Sequence, residues 1–239
     1  MMKYHYNLLE ENSQLQGSEE NVNLDVAYME ALCNRYDNDY NFISSTRLSS
    51  KYLTLIDKYY GSADGESILA FCSNRFIFNK VKEGVVLSSK GIYWRSGQMN
   101  LDPSYLTWSQ YAQATSAVDE VCYIQFRPDH IFQSRRSNIL TEVLEDFYVY
   151  MASLLVTNNP IMYHYDQSYN RIGRIPTVRT YHDKWMLVEN GMPLYPLRNN
   201  DIHWVIEMGQ VDTAKLQVWK PGMSEWVYVE EVAELMNKG

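Results

Sequence analysis

Between Asn138 and Val156 apolar side chains recur at steps of three and four residues: Leu140, Val143, Leu144, Phe147, Met151, Leu154 and Leu155. That period places them on one face of an α-helix. Glu142, Glu145 and Asp146 are then expected on the opposite, solvated face. Asn158, Asn159 and Pro160 follow, and proline cannot continue a helix. A long amphipathic helix must bury its stripe, so the rest of the chain has to build a core around it.

Two more helices are expected before it. From Asn21 to Tyr36, Leu24, Tyr28, Leu32 and Tyr36 share one face, with Asn21 or Asn23 as the cap. From Thr46 to Tyr60, Leu48, Tyr52, Leu55, Ile56 and Tyr59 form a second stripe, which Gly61 ends. Between Ser67 and Phe126 the pattern shortens to β-like runs: Ile68 to Ser73, Arg75 to Phe78, Gly84 to Leu87, Gly91 to Arg95, Leu106 to Trp108 and Cys122 to Phe126. Ser88-Ser89-Lys90-Gly91 reads as a hairpin turn whose Gly can take a positive φ without steric cost. Residues Ile161 to Asp183 have no period and contain Gly173 and Pro176, as expected of a linker. The first twenty residues are polar and irregular.

In the last part of the chain, Trp185, Leu187, Val218, Trp226 and Val229 fall in β-like runs, and Ile202, Val205 and Ile206 suit one helix face. The segment from Lys184 to Leu235 resembles the bacterial GYF-like domain. The matching residues are Trp185, Asn190, Gly191, Pro196, Ile202, Gly209, Val218, Trp219, Gly222, Met223, Trp226, Val232 and Leu235. The family's Gly-Pro-aromatic signature stands here as Tyr195-Pro196-Leu197, so the resemblance does not carry proline-rich binding with it. It implies a partner-binding surface at Tyr195, Pro196, Leu197 and Trp204. A shorter resemblance, over about Ile68 to Leu155, is to small bacterial PH-like domains. It rests on Gly84-Val85-Val86-Leu87-Ser88-Ser89-Lys90-Gly91-Ile92-Tyr93-Trp94 and on Leu106-Thr107-Trp108-Ser109. It implies a barrel of short strands closed by one helix.

Composition narrows the function. The formal net charge is −8, and between Met1 and Ser45 eight Asp or Glu face only Lys3 and Arg35. Such a chain repels phosphate backbones, so general nucleic-acid binding is disfavoured, although a local basic patch can override the average. No apolar run approaches a membrane span, and the N-terminus lacks a signal peptide's apolar stretch. Three dispersed cysteines, Cys33, Cys72 and Cys122, fit a reducing cytoplasm better than a disulfide scaffold.

No catalytic or cofactor motif stands out. His5, His130, His164, His182 and His203 have no metal spacing, and His182-Asp183 alone is a weak pair. Nucleophile elbow, Walker loop and G-x-G-x-x-G are absent. Arg171, Arg174, Arg179 and Lys184, with Tyr163, Tyr165, Tyr169 and Tyr181 between them, could bind single strands. Docking of this stretch on the acidic remainder is the preferred reading.

The expectation is therefore an α+β chain. Residues 1–60 form an N-terminal helical region, 61–157 a PH-like barrel with a terminal helix, 158–183 a linker, and 184–239 a GYF-like unit able to fold alone. The expected function is non-catalytic: a cytoplasmic adaptor, or a subunit of a bacterial assembly, with a protein or peptide partner, no metal and no cofactor. The rival is an enzyme or nucleic-acid binder using the Arg/Tyr-rich linker or the Pro128–Arg136 loop.

Overall fold

The computed structural model describes residues 24–38, 41–61, 65–73, 81–95, 104–113, 123–127, 130–133, 138–156, 158–162, 164 and 184–236. The expected strand at 75–78, His5, Cys122, the His182-Asp183 pair and most of the linker lie outside them.

The fold is α+β and layered. Helix α1 (Val26–Arg35) is capped by the Asp25 carboxylate, which accepts from the backbone N–H groups of Ala27 and Tyr28. The cap is thus Asp25 rather than Asn21 or Asn23. A short strand β1 (Phe42–Ser44) and one 3-10 turn (Ser45–Arg47) lead to α2 (Ser50–Tyr60). Gly61, at φ 64°, ends α2, and its N–H reaches the Asp57 carbonyl. That left-handed cap is where glycine has no steric cost.

Strands β2 (Ile68–Ser73), β3 (Gly84–Ser88), β4 (Gly91–Arg95) and β5 (Ser104–Thr107) follow. With β1 they form one antiparallel sheet in the order β1-β2-β3-β4-β5. Among the described residues this sheet is an open meander with β1 and β5 at its edges, not a closed barrel. Strands β6 (Tyr123–Arg127) and β7 (His130–Gln133) pair as a separate hairpin. Part of the expected Pro128–Arg136 loop is therefore strand.

Gly91 is required for a different reason than a positive φ. A Cβ there would lie 2.2 Å from the Leu106 carbonyl oxygen, so the position demands a missing side chain. Trp108, read from the sequence as a strand end, instead opens α3 (Trp108–Gln113), and its indole N–H donates to the Ser88 carbonyl.

Helix α4 (Asn138–Leu154) sits between two sheets. The second comprises β8 (Lys184–Glu189), β9 (Met192–Pro193), β10 (Leu197–Arg198), β11 (Leu216–Trp219) and β12 (Val227–Tyr228). Asn190 and Gly191 both have positive φ and join β8 to β9 in a two-residue hairpin, the geometry Asn-Gly favours. Helices α5 (Asn199–Glu207) and α6 (Ala233–Met236) complete this unit.

The first sheet is covered on both faces. Phe71, Val86 and Tyr93 point to α2 with Ile56 and Tyr60, whereas Cys72, Val85, Leu87, Ile92 and Trp94 point to α1 and α4. The second sheet is covered likewise. Trp185 and Leu187 of β8 join Ile202 and Val205 in a small core of their own. Met186 and Val188, one residue out of phase, join the main core beside α4, together with Trp219 and Trp226. Strand alternation sends successive residues to opposite faces, so β8 serves two cores at once. Trp226→Ala should cost roughly 3–5 kcal/mol, as deletion of a large buried ring does. Equilibrium unfolding with a change under about 1 kcal/mol would place that ring outside the core.

Candidate protein-recognition site

The chemistry-bearing groups gather where the second sheet meets α1 and α4. Glu142, Glu145 and Asp146 share one face of α4 with Val149 and Ser153, one and two turns further on. Val149 and Ser153 are buried, and so is Asp146, at 0% exposure. The acidic face of α4 therefore turns inward, which corrects its reading as a solvated surface. A helix buried all round needs partners for its polar groups, and the second sheet provides them.

Lys184, only 4% exposed, lies 2.5 Å from Asp146 Oδ1, 2.9 Å from Glu142 Oε2 and 3.5 Å from Glu145 Oε2. Arg198 sends one guanidinium nitrogen to both oxygens of Glu142 at 2.7 Å. The Tyr36 hydroxyl donates to Asp146 Oδ2 at 2.7 Å, and Arg35 approaches the same oxygen at 3.9 Å. Three carboxylates thus face three cations across the seam. Lys184, the first residue of the segment read as GYF-like, is also the first residue of β8, and it docks on these acidic side chains. Arg171, Arg174 and Arg179 lie outside the described residues.

Burial and charge compete at each group. Burial would push Glu142 up, but the Lys184 charge and hydrogen bonds from Arg198 and Lys184 outweigh it and hold the carboxyl below its usual range. Burial would lower Lys184, but Asp146, then Tyr36 and the two glutamates, keep it well above the ordinary lysine value. Glu145 goes the other way: burial dominates and raises it, helped by the neighbouring Asp146 and Glu142 charges. A raised carboxyl favours folding only below its unfolded pKa, and that contribution is lost as pH rises through the folded value. Glu145→Gln should therefore raise the melting temperature modestly at neutral pH. The gain should vanish in acid. Melting curves at neutral and acidic pH would test it, and a loss of stability at neutral pH would contradict it.

The four residues expected to bind a partner do not form one exposed surface. Leu197 is buried in the small core and Pro196 is buried. Tyr195 is half-buried against the main core, with the Arg35 guanidinium 4.2 Å from its ring centre. Just before it, the Leu194 carbonyl accepts from the Tyr28 hydroxyl at 2.6 Å. Tyr195, Pro196 and Leu197 are thus turned toward the chain's own α1, α4 and small core. Trp204 alone of the four is exposed, at 37%, on the outer side of α5. Met208 follows it by four residues and is 59% exposed. Sequence reasoning missed Met208, although its spacing from Trp204 was a usable signal.

Elsewhere, His164 is solvent-exposed, 3.4 Å from Asp25. Cys33 and Cys72 are buried, with burial pushing the Cys33 thiol well up. No group of metal-ligating side chains occurs among the described residues. Among them, no helix is long and apolar enough to cross a membrane. No family model, no curated protein and no solved structure matches the chain.

Proposed function

We propose that this chain is a non-catalytic protein-recognition subunit or adaptor of a bacterial assembly, and that it contacts its partner through the outer side of α5. The observation that carries this reading is the exposed pair Trp204, on α5, and Met208, the residue that ends it, while the inner face of the helix, Ile202 and Val205, is fully buried. Tryptophan is enriched among residues that dominate interface energy, and methionine adapts to irregular apolar surfaces. The resemblance of residues 184–235 to GYF-like domains supports the class of function, while the inward placement of Tyr195, Pro196 and Leu197 moves the contact surface to α5. The carboxylates at the seam are paired with cations and buried or half-buried, which suits a structural role better than acid–base work.

Trp204→Ala should weaken partner binding by about 2 kcal/mol or more. Thermal stability should change little, because the ring lies outside both cores. Full-length protein and the variant would be used as bait, and a protein recovered with one and depleted with the other would then be titrated against both. Equal affinity for a folded variant removes Trp204 from the site. Recovery of nuclease-sensitive nucleic acid in place of a protein overturns the class of function.

A further inference from the structure

On the far side of the molecule from α5, three cations converge on one tyrosine. Lys58 lies in the last turn of α2, Lys82 in the turn before β3, and Arg95 at the end of β4. Their charged groups stand 5.7, 5.6 and 5.5 Å from the centre of the Tyr59 ring. Three separate elements supply them, and the β3–β4 register, which sets Arg95 opposite Gly84, holds Arg95 near Lys82.

Within the described residues, the ion pairs are made by other side chains, and none involves Lys58, Lys82 or Arg95. The adjacent acids Asp57 and Glu83 have contacts of their own. Arg95 spends one nitrogen on the Tyr59 carbonyl at 3.5 Å, a long bond that leaves most of its donors unused. The neighbouring Tyr60 hydroxyl is buried and has no hydrogen-bond partner among the described residues. After burial itself, the Arg95 charge is the strongest influence on it, with Glu83 acting in the opposite sense.

Like charges held around one ring repel each other, and each exposed cation–π contact returns only about 0.5–1 kcal/mol. An anion placed among them removes the repulsion. The arrangement stands out because the chain as a whole carries a formal charge of −8. We propose that Lys58, Lys82 and Arg95 form a binding site for a small, multiply charged phosphate anion, with the Tyr59 ring as its floor. A guanidinium fork and two ammonium groups match tetrahedral phosphate oxygens, and two joined phosphates span cations spread around a ring.

The probe is inorganic pyrophosphate, titrated calorimetrically into the full-length protein at low salt, with amide shifts followed in parallel. Binding with Kd below about 1 mM is expected, with shifts centred on Tyr59 and Lys82. Affinity should fall when ionic strength rises from about 50 to 200 mM. Lys58→Gln/Lys82→Gln should weaken binding at least about tenfold. Both lysines are exposed, so its melting temperature should stay that of the parent. Arg95→Lys keeps the charge, loses the fork and should bind at an intermediate level. Absence of binding at millimolar pyrophosphate, or equal binding by the folded double-lysine variant, overturns the proposal.

Discussion

Lys184→Met should lower the free energy of unfolding by about 3–5 kcal/mol, the cost of leaving a buried charge without its partner. The lysine side chain is 3% exposed and Asp146 is fully buried, so water cannot replace what is removed. In the variant Asp146 keeps the Tyr36 hydroxyl and a distant Arg35, while Glu142 keeps Arg198. The double variant Lys184→Met/Asp146→Leu removes both members of the shortest pair. It should be no less stable than Lys184→Met alone, since an apolar replacement of a whole buried pair is often neutral. Denaturant unfolding of the parent, both single variants and the double variant gives the coupling directly. A loss under about 1 kcal/mol for Lys184→Met would mean that the seam does not hold the second sheet on α4.

The same seam has a pH signature. Glu142 is held below its usual range, so its contribution is present above the unfolded carboxylate pKa and lost as pH falls through the folded one. Lys184 is raised, so its contribution is intact at neutral pH and lost only in strong alkali. Acid rather than mild alkali should therefore loosen the second sheet.

A fragment of residues 181–239 should fail to fold alone. It would retain the small core of Trp185, Leu187, Ile202, Val205 and Leu216. It would expose Met186, Val188, Trp219 and Trp226, which are packed in the main core. Two Trp rings of roughly 150–250 Å² each, at about 25 cal/mol per Å², represent at most about 7–12 kcal/mol of lost burial. A single core in a domain of this size rarely supplies more than about 3–5 kcal/mol. Lys184 would also lose all three of its carboxylates. The amide spectrum should be collapsed, or the fragment should self-associate through the uncovered face. A dispersed, monomeric spectrum would show that the small core suffices, as the Pro- and Gly-interrupted stretch before Lys184 led the sequence reading to expect.

Local structure followed from local sequence. The three-and-four spacing from Leu140 onward defined α4, Gly61 stopped α2, and Asn190-Gly191 made the β8–β9 turn, because helix period, left-handed caps and hairpin turns are decided within a few residues. The family resemblance suggested a core place for Trp226, which packs in the main core rather than in the small one. What lay beyond reach was which side of each element would be covered. Lys184 and Arg198 are 38 and 56 residues from the carboxylates they meet, and no period along the chain encodes such a pairing. Glu142, Glu145 and Asp146 looked solvated because charge on one face of a helix usually is. Val149 and Ser153 on that same face were the weak signal that it is not. Tyr195 and Leu197 were assigned to an outer surface by family resemblance, but the packing of α1 and α4 turned them inward. The long helices, most of the strands and several turns were legible along the chain, whereas Trp108 and the β6–β7 hairpin were not. That α4 lies between two sheets emerged at the level of packing, because burial of its second face depends on charges that meet once the chain has closed on itself.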